Sequence, residues 1–578
     1  MKLRYLVSIL GISALTSCTK LDLHPLSEAS NETWYTNKAQ IEMSLNTLFL
    51  HQFWPVVKTE IPTATAAFDE LADDWTNRTT LLSFTNGTFN SQTAMVGGIW
   101  SYSYKAISRA NTILANIDRA KANLSDQDYR KYIATARFVR ACQYSRIITL
   151  FGDPVYFNEE LELEEAFKMG RTAKAVALQK VYEDFDYAIQ NLPVDFSGNE
   201  IQRVSKGAAY AMKARIALYM EDWETAKNAA DECIKLQKYR LYPSYPELFL
   251  SKTKNSVESV FIIPRAVELS ADFNAALRGG NITAYLPRTV GGTSTGNPSW
   301  DLFCSYLCTD GKPIDESPLY NPRKPFLNRD PRCTATIAEF DKPHLGFTYS
   351  PHPDSSKVWS YTSGIYIANK DSKAGDQYAS YNGLVLKKGI DGDWTDDLQA
   401  APDKILMRYA DVLLMYAEAK IELNDIDASV LDAINQVRAR AYGVNVSQTS
   451  SYPAVTVTAQ AALRKQLRME RRMEMAFEGL RYFDIRRWKL AEKVMNRPNY
   501  GLLAANSDLR TKLVVPGLWF FPGTPDIDDD GTPNFATMNQ SLIRKLSTRV
   551  FDKNKHYLWP IPASDILINP NLKQNPNY

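Results

Sequence analysis

Residues 205–236 read SKGAAYAMKARIALYMEDWETAKNAADECIKL, and the reading of this stretch decides the fold class. The Ser205 side chain can accept a hydrogen bond from the free amides of a first helical turn, so it starts a helix running to about Met220. Glu221 and Asp222 leave room only for a short turn, and Trp223 opens a second helix that reaches about Leu236. Ala214 and Ala226 lie twelve residues apart, with Ala230 four further on. Small side chains at these positions let two antiparallel helices approach closely.

The same period extends to both sides. Trp100, Tyr104, Ile107, Asn111, Leu114 and Ile117 recur at spacings of three and four and mark one helix face, with Asn111 read as a buried hydrogen-bonding group. A helix is expected over 126–151, stopped by Gly152 and Pro154, and another over 174–192, ahead of Pro193. Further helices are expected over 405–423, 426–442 and 458–477. Between about 243 and 402, Pro, Gly, Ser and Asn are frequent and apolar runs are short, as at 259–263 and 383–387. The chain therefore reads as mostly α. Helical pairs of tetratricopeptide-like spacing form a scaffold at about 30–242 and 403–500, and a loop-rich region with a few short strands fills about 243–402 and 501–578. No flexible linker separates them, so one body is expected, with its binding surface on loops held by rigid helices.

The N-terminus carries its own signal. Lys2 and Arg4 precede a mostly apolar run from Leu6 to Leu15, the layout of a secretory signal over residues 1–17. Leu15-Thr16-Ser17-Cys18 resembles the lipobox of bacterial lipoproteins, which implies that Cys18 carries the lipid that anchors the mature chain to the membrane. No later stretch approaches 18 consecutive apolar residues.

Composition narrows the function classes. The formal net charge is +2, from 67 basic and 65 acidic residues, so a basic nucleic-acid footprint is absent and no nucleic-acid partner is expected. Beyond Cys18, five cysteines remain, and an odd number does not build a disulfide scaffold. Cys142 and Cys233 fall in helical patterns as small buried hydrophobes, while a bridge from Cys333 to Cys304 or Cys308 stays open. The five histidines have no zinc-binding spacing, and no G-x-S-x-G elbow, P-loop or dinucleotide fingerprint occurs, so no catalytic activity is expected. Asp526-Ile527-Asp528-Asp529-Asp530-Gly531 has the D-x-D-x-D-G spacing of a calcium loop, with Asp526, Asp528 and Asp530 as the ligands. Thr537 stands where the twelfth-position Glu of a full loop would be, so a solvated acidic turn competes with calcium.

Several segments, in order, resemble the SusD/RagB family of surface lipoproteins. They are WSYSYKAISRANTILANID (100–118), ATARFVRACQYSRIITLFGDP (134–154), TDGKPI (309–314) with NRDPR (328–332), MRYADVLLMYAEAK (407–420) with RMERRMEMAFEGLRYFDIRRW (468–488), and LWPIPASDILINPNLKQNPNY (558–578). Read physically, these segments are structural. Glu470, Glu474 and Glu478 stand one turn apart and would repel one another unless compensated, so a partly buried charge network with Arg471, Arg472, Arg481, Arg486 and Arg487 is expected. Trp559 is expected to pack the tail onto the body. The resemblance implies a SusD-like fold with four tetratricopeptide-like units. It also implies a role at the cell surface of the outer membrane, binding glycans and delivering them to a SusC-like TonB-dependent transporter. The same role for peptides, or a helical-repeat scaffold for other proteins, is the alternative.

Family ligands contact a shallow loop surface with exposed aromatics, because sugar rings lay their C–H faces on Trp or Tyr while amides and carboxylates take the hydroxyls. The loop residues of this kind are Asp73, Asp74, Trp75, Asn77 and Arg78, then Tyr285, Arg288 and Trp300. Trp359, Tyr361 and Trp394 form a second set.

Overall fold

The computed structural model describes residues 34–54, 68–77, 83–200, 203–269, 282–396 and 400–578; Cys18 and Arg78 lie outside them. The opening pair forms as its caps dictate. Ser205 accepts from the Ala208 amide at the head of the Lys206–Tyr219 helix, and Asp222 accepts from Thr225 at the head of Trp223–Lys235. Ala214, Ala226 and Ala230 are fully buried in the scaffold core.

The other helices extend that layer. Asp126–Phe151, capped by Ser125 and ended by Gly152 at φ +80°, packs against both Ala94–Asn116 and Lys174–Asn191. Asn111 is buried as expected: it donates to the Glu159 carbonyl at 3.0 Å and accepts from Arg140 at 2.7 Å. Tyr409–Glu422 packs against Trp223–Lys235 and leads on to Ala428–Ala441 and Gln460–Met475.

Two boundaries differ from the sequence reading. Lys404–Arg408, expected to open a helix at residue 405, is a strand paired antiparallel with Ser259–Ile263, and Ile262 faces Ile405. Only a partner about 140 residues upstream makes those five residues extended, so the local period cannot report it. The last long helix stops at Met475 because Phe477 takes φ +60° and Gly479 φ +78°. In the loop-rich part, the apolar run at 383–387 makes only one isolated bridge, between Ile337 and Leu386. The largest sheet is instead the four-stranded meander Lys342–His344, Phe347–Tyr349, Lys357–Ser360 and Ile365–Ala368.

A second apolar core fills this part, built on Trp300, Phe303, Phe520, Phe521 and Phe535. Trp559 is fully buried and donates to the Tyr482 hydroxyl at 2.7 Å, while Asn575 donates to the carbonyls of Phe151 and Trp559, so the tail is clamped to the scaffold. All five described cysteines are buried free thiols, and no bridge joins Cys333 to Cys304 or Cys308.

The seam between the two parts is ionic. Glu470 accepts from Arg332 at 2.6 Å and Arg438 at 2.8 Å. Glu474 accepts from Arg332, Arg408 and Arg440, and Glu478 from Arg408 and Lys388. The expected network exists, but its wiring differs from the sequence reading. Arg471 turns to Asp411 and Asp484, Arg472 and Arg481 to Asp73, and Arg487 to Glu418 and Asp484. Arg486 donates to backbone carbonyls of Thr149 and Tyr557. Residues adjacent on a helix point in different directions, so the glutamates find guanidinium groups distant in sequence.

Candidate ligand-binding surface

Five of the residues singled out in the loops are buried. Asp73 is inaccessible, held in a fork by Arg481 at 2.8 Å and by Arg472 at 3.0 Å. Those guanidinium groups outweigh its burial and hold its carboxyl well below the usual range. Asp74 accepts from the same Arg472 at 2.6 Å, and burial beside Asp73 raises its pKa.

Trp75 is 5% exposed, lies against Tyr285 and Phe477, and sits on a short strand paired with Gly296–Pro298. Tyr285, 2% exposed, donates to Glu70 at 2.7 Å, and Trp300, 1% exposed, donates to the Asn382 carbonyl at 2.9 Å. These five side chains support the loops from beneath and present no face to a surface ligand. Asn77 is half-buried at the end of its strand, opposite Gly296. Trp394, from the second set, is also buried.

The exposed aromatics gather elsewhere. In the hairpin made by Lys357–Ser360 and Ile365–Ala368, side chains alternate between the two faces. Val358 is buried and Ile367 packs beside it in a small core with Phe347, Tyr349 and Val385. On the opposite face Trp359 is paired across the strands with Tyr366, their rings edge to face at 5.3 Å. Trp359 is 36% exposed, Tyr366 67% and Tyr361 52%. Gly364, at φ +67°, closes the turn, and the hydroxyls of Thr348 and Tyr361 meet at 3.3 Å.

The segment leaving this hairpin is firmly tied. Asn369 donates to the carbonyls of Ser350 and Ser355, both at 2.8 Å, and Asp371 accepts from the Arg288 and Thr289 amides. The Arg288 guanidinium donates to Asp376 at 2.7 and 2.9 Å and lies over the half-exposed Tyr378 ring. The structure thus brings together Arg288 with Asp376 and Tyr378 at the base, and Trp359 with Tyr361 and Tyr366 on the hairpin. Sequence reasoning singled out Arg288, Trp359 and Tyr361 but not Tyr366, Asp376 and Tyr378, which the structure places with them. The alternation in KVWS and IYIA around the turn residues was the signal for Tyr366. Exposed aromatic rings of this kind are able to stack on flat apolar faces.

The remaining acidic candidates are largely paired with cationic side chains. In the acidic loop the Lys493 ammonium stands 2.8 Å from Asp528 and 2.6 Å from Asp530, and Arg497 also reaches Asp528. Asp528 further accepts from the amides of Asp530 and Thr532, while Asp526 lies exposed in a two-residue strand opposite Asn534. The Lys493 ammonium thus lies between Asp528 and Asp530 and offsets their charge, while Asp526 stands apart from both contacts. Among the described residues no group of three His, Cys, Asp or Glu is arranged to hold a metal. Glu470 and Glu474 are inaccessible, and the arginines against Glu474 and Glu478 depress both carboxyls despite their burial.

The structure is thus a helical scaffold that carries loops with exposed aromatics. The SusD family profile matches residues 258–578, and a profile described as "starch-binding associating with outer membrane" matches residues 24–218. The chain belongs to the SusD family. It is 26% identical over 444 residues to SusD-like protein P25 of Formosa agariphila, covering 74% of this chain and 77% of that one. SusD-like protein P2 of the same organism is 24% identical over 601 residues, covering 100% and 99%. A solved SusD-like carbohydrate-binding protein from Bacteroides fragilis superposes with a TM-score of 0.76 at 28% identity, covering 94% of this chain and 100% of that one.

Proposed function

We propose that the protein is a non-catalytic, surface-exposed lipoprotein, anchored through Cys18, that binds oligo- or polysaccharides and passes them to a SusC-like TonB-dependent transporter. The observation that carries the reading is the Trp359–Tyr366 pair, held on a rigid hairpin with both rings open to solvent. Arg288 and Asp376, joined to each other at the base of the segment that leaves the hairpin, are polar groups of the kind that take sugar hydroxyls. The similar B. fragilis protein is described as carbohydrate binding, which favours glycans over peptides. Among the described residues no helix is long and apolar enough to cross a membrane, so the lipid on Cys18 is the attachment this reading requires.

Affinity electrophoresis against a polysaccharide panel, followed by calorimetry on the retained glycan, tests the reading. Trp359→Ala and Tyr366→Ala each weaken binding about tenfold, the value of one aromatic stack of ~1–1.5 kcal/mol. Unchanged affinity in both variants removes this surface from the function. Retention of peptides but of no glycan replaces the ligand class.

A further inference from the structure

Away from that surface, the scaffold and the loop-rich part enclose a cavity of about 210 Å³. Its wall is largely apolar, with Trp54, Phe68, Met212, Leu386, Ile390 and Phe483 among the lining side chains. Among the described residues four basic side chains also line it (Arg146, Arg215, Lys388 and Lys404) with two carboxylates, Asp403 and Glu478; Arg215 is paired with Asp411 just behind the wall.

Both carboxylates are already paired, Glu478 with Lys388 of the same wall. Asp403 accepts from the Asn255 amide at 2.8 Å and from Lys254 at 3.5 Å, and Glu478 is shared by Lys388 and Arg408. The Arg146 guanidinium, among the described residues, reaches only neutral oxygens, the Phe53 carbonyl at 2.8 Å and the Gln143 amide at 3.1 Å. Burial pushes it down to about 10. Burial, then the charges of Arg265 and Arg146, push Lys404 well below its ordinary value, toward the neutral amine. The Tyr219 hydroxyl and the Arg215 Nε are buried without a hydrogen-bond partner among the described residues. A desolvated cation beside unused donors is strongly favoured by an anion that enters with its own apolar cover.

We infer that this cavity binds a small amphipathic carboxylate, with its apolar body against the aromatic wall and its carboxylate on Arg146. The Tyr219 hydroxyl is the further donor. This site is independent of the glycan surface.

Hexanoate, hexanamide and sulfate, added to the mature chain at equal concentration, are the probes. Melting temperature and the fluorescence of Trp54 and Trp394, which both line the cavity, are the readouts. Hexanoate raises the melting temperature and shifts the fluorescence saturably, while hexanamide and sulfate do neither. Arg146→Gln lowers the affinity for hexanoate at least tenfold and leaves binding of the retained glycan unchanged. Should that variant fail to fold, Tyr219→Phe, which keeps the ring and removes the donor, weakens hexanoate several-fold. The inference is overturned by no response to hexanoate, by an equal response to hexanamide, or by an equal response to sulfate, which marks an adventitious ion only. An unchanged response in the variant that folds overturns it as well.

Discussion

At the scale of single residues, burial decides which groups respond to pH. Burial, helped by the Lys387 charge, pushes His344 down to about 3, and its Nε2 has no hydrogen-bond partner among the described residues. Burial and Lys555 push His556 down to about 4. Both values lie below the ordinary 6.5, so the unfolded chain takes up the proton first. The stability from keeping these rings neutral is complete above pH ~6.5 and drains as pH falls toward 4, by up to ~1.4 kcal/mol per histidine per unit. Below the ordinary carboxylate range the depressed Glu418 and Glu478 add to the loss with the same sign. Urea unfolding between pH 7.5 and 4.5 checks this by difference: below pH 6.5 the midpoint of His344→Gln falls less steeply than that of the unaltered chain. Equal slopes in the two proteins contradict the assignment.

Among elements, close approach matters more than propensity. A Cβ on Gly296 would lie 1.8 Å from the Trp75 ring, in the strand opposite. Gly296→Ala therefore forces the ring or the strand to move and costs ~1–3 kcal/mol, read as a lower urea midpoint with altered tryptophan fluorescence. The helices were largely legible in the sequence, because their stripes, caps and stop residues act within a few positions. Ser205, Asp222 and Gly152 sit where the helices begin and end. The Lys404–Arg408 strand was not legible, since its pairing partner lies far upstream. Trp75 and Tyr285 show the same limit: polar, aromatic loop sequence reads as surface, yet the fold covers both.

Across the whole molecule, the ionic seam joins the scaffold to the loop-rich part that carries the proposed ligand surface. Glu474 is its hub, between Arg332, Arg408 and Arg440. Glu474→Gln leaves three buried guanidinium groups short of one charge, and the expected loss is ~3–5 kcal/mol in chemical denaturation. Replacing an exposed carboxylate such as Glu164 changes the midpoint by less than ~0.5 kcal/mol, which separates hub from surface. If the two losses are equal, the seam is not what holds the parts together.

By itself the sequence determined the helical class, the paired packing, the family and the existence of a charge network, because periodicity, caps and ordered motifs are local. Only the tertiary structure decided which arginine meets which glutamate and which tryptophans are covered. It also decided that Lys493 fills the acidic loop and that Trp359 and Tyr366 stand together in solvent. Each of these depends on contacts between residues far apart in the chain, and burial, which sets both charge pairing and exposure, exists only once those contacts close.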